Sequence, residues 1–428
     1  MSGKLNIPGF LLLITTAIGT LLLQSCVKDP VLATLTTGQA TDITINSAVI
    51  SGNITDNGRA EITARGFCWG LNPQPTLDDE FVPSGTGSGT FSATVSGLEP
   101  NTRYHVRSYA ENSVGVAYGN DVEFVTSTAP PSVTTVQVTN IAAVTASSGG
   151  NVTYDGGAQI TSRGVCWSTS PQPDITDFHS SDGTGSGSFP STLNNLSPAT
   201  TYYVRAYATN GSWTVYGDEF TFRTKLSDAD GNLYNTVIIA SQLWMTENLR
   251  TTKLNDNTAV PEIQDNAQWV SLTTPEYSWF DNSISFKATY GALYNWYTVN
   301  TGKLCPSGWH VPTDADFNVL ETALGMASSQ AEVWGFRGTD HGLKMKNTSG
   351  WDENGNGTNS SGFTALPGGY RYGLDGIFML QTTITYWWTA SEHDADRGWY
   401  RRLDSSSDQV YRASTSKKGG KYVRCVKN

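Results

Sequence analysis

At 428 residues the chain is too long for one ordinary domain, and about two to four are expected. Charged residues make up only 15% and aromatics 11%, with 43 glycines, which excludes a disordered chain and describes β-rich modules with ample core material. The formal net charge of −11 argues against nucleic acid or an anionic membrane surface as the main partner.

The first element in chain order is an export signal. Lys4 is followed by an apolar run from Phe10 to Leu23, interrupted by Thr15, Thr16, Gly19 and Thr20. That run is shorter and more polar than the ~20 apolar residues of a membrane span. It ends in Leu23-Gln24-Ser25-Cys26, which resembles the lipobox read by bacterial lipoprotein signal peptidase. Leu23, Ser25 and Cys26 match its aliphatic, small and cysteine positions, and Gln24 is an unusual filler. The alternative is an ordinary secretory signal with an accidental cysteine. The resemblance implies that 1–25 is a signal peptide and that Cys26 becomes acylated. Each buried methylene contributes ~0.8 kcal/mol, so more than one chain anchors stably. Val27-Lys28-Asp29 is similar to the charged signals that send some lipoproteins to the cell surface. The expected location is therefore the bacterial outer membrane, lipid-anchored and surface-facing. No later segment is apolar enough to span a bilayer.

An internal repeat follows. ITARGFCWG at 62–70 returns as ITSRGVCWS at 160–168, and Gly85-Thr86-Gly87-Ser88-Gly89 returns as Gly183-Thr184-Gly185-Ser186-Gly187. Leu98, Pro100, Thr102 and Tyr104 recur as Leu196, Pro198, Thr200 and Tyr202, at the same offset of 98 residues. Alternation along 104–110 puts Tyr104, Val106, Ser108 and Ala110 on one face of a strand, and Tyr202, Val204, Ala206 and Ala208 do the same. Short strands split by Gly, Asn, Ser and Pro turns predict two all-β sandwiches of about seven strands each. The L-x-P-x-T-x-Y pattern resembles the tyrosine corner of fibronectin type III domains, over 31–127 and 130–225. Pro130-Pro131 in the joint predicts a short, stiff spacer.

Cys68 and Cys166 occupy equivalent positions and have no partner within their own modules, which predicts two buried thiols. Trp69 and Trp167 beside them are expected to pack, and Arg107 and Arg205 to be solvated.

From Leu226 the composition changes: ten of thirteen tryptophans lie beyond it. Thr313 with Asp316 forms a capping-box pattern, Phe317, Leu320 and Leu324 share a helical face, and Gly325 suits the C-terminal end. A second, shorter helix is predicted at YGALYNWY, 290–297. The rest reads as short strands and long loops, an α+β domain over 226–428.

Here the motifs match a family. Asp228-Ala229-Asp230-Gly231-Asn232, QLWMTENL (242–249), YGALYNWY, CPSGWHVPT (305–313), GFTALPGGYR (362–371) and VRCV (423–426) resemble the Fibrobacter succinogenes major paralogous domain. That family is similar to a branch of the formylglycine-generating-enzyme type of C-type-lectin-like fold, and GWHVPTDADF is similar to its signature. The resemblance implies a C-type-lectin-like domain. It also implies a disulfide between Cys305 and Cys425, since such folds tie the helical region to the last strand. In this sequence the late cysteine pair that holds copper in formylglycine-generating enzymes is absent. The expectation is no enzyme.

Nothing else in the sequence carries catalysis. The five histidines lack metal-ligand spacing, and no nucleophile elbow or phosphate-binding glycine loop is present. His310 replaces a family arginine and reads as structural. Asp352, Asn354 and Asn356 resemble the opening of a Ca²⁺ loop, although Phe363 stands where the bidentate Glu belongs. A polar surface loop and a Ca²⁺ site both stay open. Asp228, Asp230 and Asn232 read as a turn.

Lectin-like folds take ligands on late loops, here about 346–400. Tyr370, Arg371, Tyr386, Trp387, Trp388, Glu392 and Arg397 lie in that range, and Trp387, Trp388, Tyr370, Arg371 and Glu392 form the candidate ligand site. Adjacent tryptophans in a strand point to opposite faces, so packing competes with ligand contact there. The sequence reading is a surface lipoprotein that displays a lectin-like head on sandwich spacers and binds glycan or protein, in adhesion or nutrient capture. An altered formylglycine-generating-type enzyme and a purely structural envelope protein are the alternatives.

Overall fold

The computed structural model describes Gly3, residues 28–352 and residues 354–428; Cys26 and the rest of the lipobox lie outside the described residues. No helix among the described residues is long and apolar enough to cross a membrane. The chain divides into two compact units, 1–129 and 130–428.

The first unit is a β-sandwich. Strands Thr34–Thr37, Ser47–Asp56 and Gly89–Ser96 make one sheet. The second sheet centres on Ala64–Gly70 and Arg103–Asn112. Ala48, Ile50, Phe67, Val95, Val106 and Ala110 fill the space between them. Tyr104 stacks on Phe124 at 5.9 Å, and its hydroxyl accepts the Glu99 N–H at 3.0 Å, which closes the corner.

Within the second unit, 130–225 repeats this arrangement strand for strand. Tyr202 stacks on Phe222 at 5.9 Å and accepts the Ser197 N–H at 3.0 Å. The recurrent arginine and glycine motifs have one cause. Arg65 lies over Phe91 and donates to the Gly87 carbonyl at 2.9 Å; Arg163 lies over Phe189 and donates to that of Gly185 at 2.8 Å. Gly85, Gly87 and Gly89 all take positive φ, which lets the loop turn its carbonyls to the guanidinium. Cys68 and Cys166 are buried free thiols, pushed up to about 11 and about 12 mainly by burial. Arg107 and Arg205 correct the solvated reading. Each lies 4.7 Å over a tyrosine ring, Tyr118 or Tyr216, and donates to the carbonyl of the next glycine.

The rest of the second unit is an α+β domain built on a six-stranded sheet. Its strands are β1 (Gly335–Arg337), β2 (Gly368–Arg371), β3 (Phe378–Gln381), β4 (Ile384–Glu392), β5 (Arg397–Asp404) and β6 (Val410–Ser416), in the spatial order β1-β6-β5-β4-β2-β3. Helix α1 (Asp314–Ala323) starts at Thr313 in a full capping box with Asp316 and ends before Gly325 at φ 107°. Its Phe317 and Leu320 pack with Trp387, Leu403 and Val410 from one face of the sheet. Cys305 and Cys425 form a disulfide.

The predicted helix at 290–297 is broken. A short helix ends at Tyr290, Gly291 takes φ 83°, Leu293–Tyr294 is a strand, and a new helix begins at Trp296. Asn295 caps it by accepting the Thr298 N–H at 3.0 Å. The Asp228 turn is confirmed: its carboxylate accepts the N–H groups of Asp230 and Asn232 and the Tyr234 hydroxyl.

Candidate functional site

Alternation splits the six-stranded sheet into two chemically different faces. On β5, Arg401 and Leu403 turn toward α1, while Tyr400 and Arg402 turn away. Pairing then aligns one residue from each of four strands: Phe336 lies opposite Tyr411, Tyr411 opposite Arg402, and Arg402 opposite Tyr386. The rings of Phe336 and Tyr411 are 4.9 Å apart, and the Arg402 guanidinium lies 4.7 Å from Tyr411 and 5.8 Å from Tyr386. Tyr370 on β2 continues the row at 4.6 Å from Tyr386, with Met379 of β3 opposite it. Phe336 is 40% exposed and Met379 38%, so both ends of the row reach solvent. Arg402 is held in place by a charge-assisted pair with Asp404.

Lys421 enters this row from the last loop. Its backbone pairs with Tyr294, and its ammonium lies 4.5 Å from the Trp388 ring, 4.9 Å from Tyr386, 5.1 Å from Tyr400 and 5.7 Å from Tyr370. Burial pulls its pKa down to about 7, with no carboxylate to offset the desolvation.

At the far end Tyr372 stands edge-on to Tyr370 at 6.3 Å and forms one wall of a pocket of about 380 Å³. Leu374, Asp396, Arg397, Ser414, Thr415 and Ser416 also line that pocket. Tyr386 and Lys421 are buried, so what the row presents to solvent is Phe336, Tyr411, the Arg402 guanidinium, Tyr370 and Met379. Such a set suits a ligand with both apolar and hydroxylated faces.

Residues 237–427 match the Fibrobacter succinogenes major domain. No curated protein matches the chain. Among solved structures it is similar to the sensor domain of the anti-sigma factor RsgI4 from Pseudobacteroides cellulosolvens, at 19% identity and a TM-score of 0.17, over 22% of this chain and 94% of that one. It is also similar to chicken CNTN1 domains FN1–FN3, at 14% identity and a TM-score of 0.26, over 51% and 76%.

In the major domain, several residues predicted for ligand contact are placed elsewhere. Trp387 and Trp388 are both 0% exposed and correct the sugar-stacking reading. Trp387 packs in the core under α1 and donates to Asn248 at 2.9 Å; Trp388 packs on the opposite side and donates to the Tyr294 carbonyl at 2.8 Å. Arg371 is likewise internal. It lies between Trp269 and Phe378 and donates to the carbonyls of Gly376, Ile263 and Gln264. Glu392 is exposed at the end of β4 and pairs with Lys417. Of the five, Tyr370 alone belongs to the aromatic row.

Two of the three Ca²⁺ candidates make protein contacts. Asp352 accepts the Thr382 hydroxyl, Asn356 accepts the Trp351 N–H at 3.0 Å, and Asn354 sits exposed at φ 59°. Among the described residues no three His, Cys, Asp or Glu side chains are grouped to hold a metal. His310 bonds Asp316 at 3.1 Å and Asn428 at 2.7 Å, tying the capped helix to the C-terminus.

Sequence reasoning missed Phe336, Tyr411, Arg402 and Lys421. A period-two pattern puts Arg402 on one face with Tyr400 in YRRLD and Tyr411 with Ala413 in VYRAS, but does not say that the two strands adjoin.

Proposed function

We propose that this protein is a lipid-anchored envelope protein, acylated at Cys26 and held at the bacterial outer membrane, whose major domain is a non-catalytic, C-type-lectin-like module that binds glycan. The partly exposed register row of Phe336, Tyr411 and Arg402 carries the reading. Aromatic faces stack on the C–H faces of sugars, and a fixed guanidinium orients hydroxyls without moving on binding. The capped helix laid on a sheet and the Cys305–Cys425 bridge support the lectin-like assignment. A disulfide also suits an extracytoplasmic compartment.

The test is a glycan panel against the full chain, with and without Ca²⁺, repeated on Phe336→Ala. Phe336 is exposed, so its truncation should weaken binding by about 1–2 kcal/mol at unchanged melting temperature. A panel without hits, or a variant that binds like wild type, overturns the glycan reading. Incorporation of labelled fatty acid should vanish in Cys26→Ala; acylation that survives the change removes the anchor.

A further inference from the structure

A second group of rings lies on the face of the sheet opposite the aromatic row. Trp399 on β5 alternates with Tyr400 and so shares the α1-facing side with Arg401. Trp334, from the segment before β1, meets it there at 4.8 Å, and His393, just beyond β4, stands edge-on to the two at 5.5 Å and 5.0 Å. Trp334 and Phe336 would share a face on a regular strand. Gly335 between them takes φ 82°, and the two rings part to opposite sides. Below the group, the buried Arg412 lies 3.7 Å over Trp399, pairs with Asp314 and donates to the Glu332 carbonyl at 2.6 Å. Trp334 is nevertheless 50% exposed, as is Val333 beside it, and rings left open in this way mark binding surfaces. Neither indole N–H has a hydrogen-bond partner among the described residues, and His393 bonds only through Nδ1, to Asp394 at 2.7 Å. A carboxylate only accepts, so Nδ1 carries the proton, and Nε2 of the neutral ring is left as an acceptor.

We infer that Trp334, Trp399 and His393 form a stacking platform for a neutral glycan of pyranose rings with equatorial hydroxyls, separate from the aromatic row. The two sites share no residue, so neither rests on the other. Such a sugar offers an unbroken C–H face to the open Trp334 ring. Its hydroxyls both accept from indole N–H groups and donate to His393 Nε2. A proline-rich peptide suits the rings and the N–H donors, but its prolines have no N–H to give Nε2. Asp394 stands at the rim, Arg412 is committed to Asp314, and the chain carries a net charge of −11, which together disfavour an anionic sugar.

The experiment titrates the full chain calorimetrically with xylohexaose, a neutral chain with equatorial hydroxyls, and with a proline-rich decapeptide. Xylohexaose should bind, and Trp334→Ala should weaken the platform roughly tenfold or more. Trp334 is exposed, so this variant should keep the wild-type melting temperature. His393→Phe retains a ring and removes the acceptor, and should weaken binding about three- to tenfold. If Trp334→Ala melts early, His393→Phe decides alone. No binding of xylohexaose, unchanged affinity in either variant, or a peptide that binds through Trp334 in its place overturns the platform. If Phe336→Ala abolishes binding and the platform variants do not, the platform falls and the row stands. If Trp334→Ala abolishes it and Phe336→Ala does not, the platform stands and the row loses this glycan.

Discussion

Glu321 Oε1 accepts a hydrogen bond from Arg401 Nε at 2.8 Å, with both side chains at 0% exposure and 80 residues of chain between them. The other Glu321 oxygen takes Arg337 at 2.5 Å, and Arg401 also reaches Asp314 at the start of α1. A charged network thus docks the helix on the sheet and holds β5 and β1 under it. Removing one partner strands a buried charge, at a cost of roughly 3–5 kcal/mol. Glu321→Gln and Arg401→Met should each lower the unfolding free energy of the major domain by that amount, read from chemical denaturation. The double variant should cost less than the sum, as a double-mutant cycle would show.

The disulfide closes a loop of 120 residues, and in the chain-entropy model it contributes about 4–5 kcal/mol. Under native, non-reducing conditions a thiol-alkylating reagent should modify none of the four described cysteines. After gentle reduction Cys305 and Cys425 should label first. Cys68 and Cys166, buried and raised to about 11 and about 12, should label only on unfolding. Peptide mapping by mass spectrometry separates the two classes.

Lys421 makes stability depend on pH in a defined direction. Its folded pKa, about 7, lies below the ordinary lysine value, so between the two the unfolded chain binds more protons. Stability should therefore rise as pH goes from about 7 toward about 10. Lys421→Met removes this term and should be more stable than wild type near pH 7, with the gap shrinking in alkali. Chemical denaturation of both proteins across that range checks the sign.

Glu276 acts in the opposite sense. It is fully buried, one carboxylate oxygen accepts from Asn295 at 2.9 Å, and the other has no partner. Burial raises its pKa to about 7, so the folded state holds the proton longer and stability falls as pH rises from about 4.5 to about 7. Glu276→Gln should flatten this decline and stabilise the protein at pH 8.

The two adjacent tryptophans should behave alike. Trp387→Ala and Trp388→Ala each empty a packed core, and each should cost roughly 3–5 kcal/mol of stability. A variant that folds normally but loses ligand would return that tryptophan to the binding site.

Most features governed by local rules were legible in the sequence, the broken helix at 290–297 excepted, where Gly291 takes φ 83°. Duplication at an offset of 98 residues settled two like modules, because identical strings meet identical local physics. The Tyr104 and Tyr202 corners followed from the pattern of their own strands, and Thr313 with Asp316 started α1 where a reciprocal side-chain cap had to form. The Cys305–Cys425 bridge was legible through family motifs and not through spacing. Tertiary structure alone decided the rest. Alternation says that Trp387 and Trp388 face opposite ways, but not that α1 covers one side of the sheet while the 292–299 and 421–425 segments cover the other. Phe336 joins Tyr411 only because the short strand β1 pairs with the distant β6. Lys421 is buried, and its pKa lowered by that burial, only because distant strands β2, β4 and β5 return around it. Side-chain direction is set within a few residues, whereas burial and strand neighbours depend on where distant chain returns.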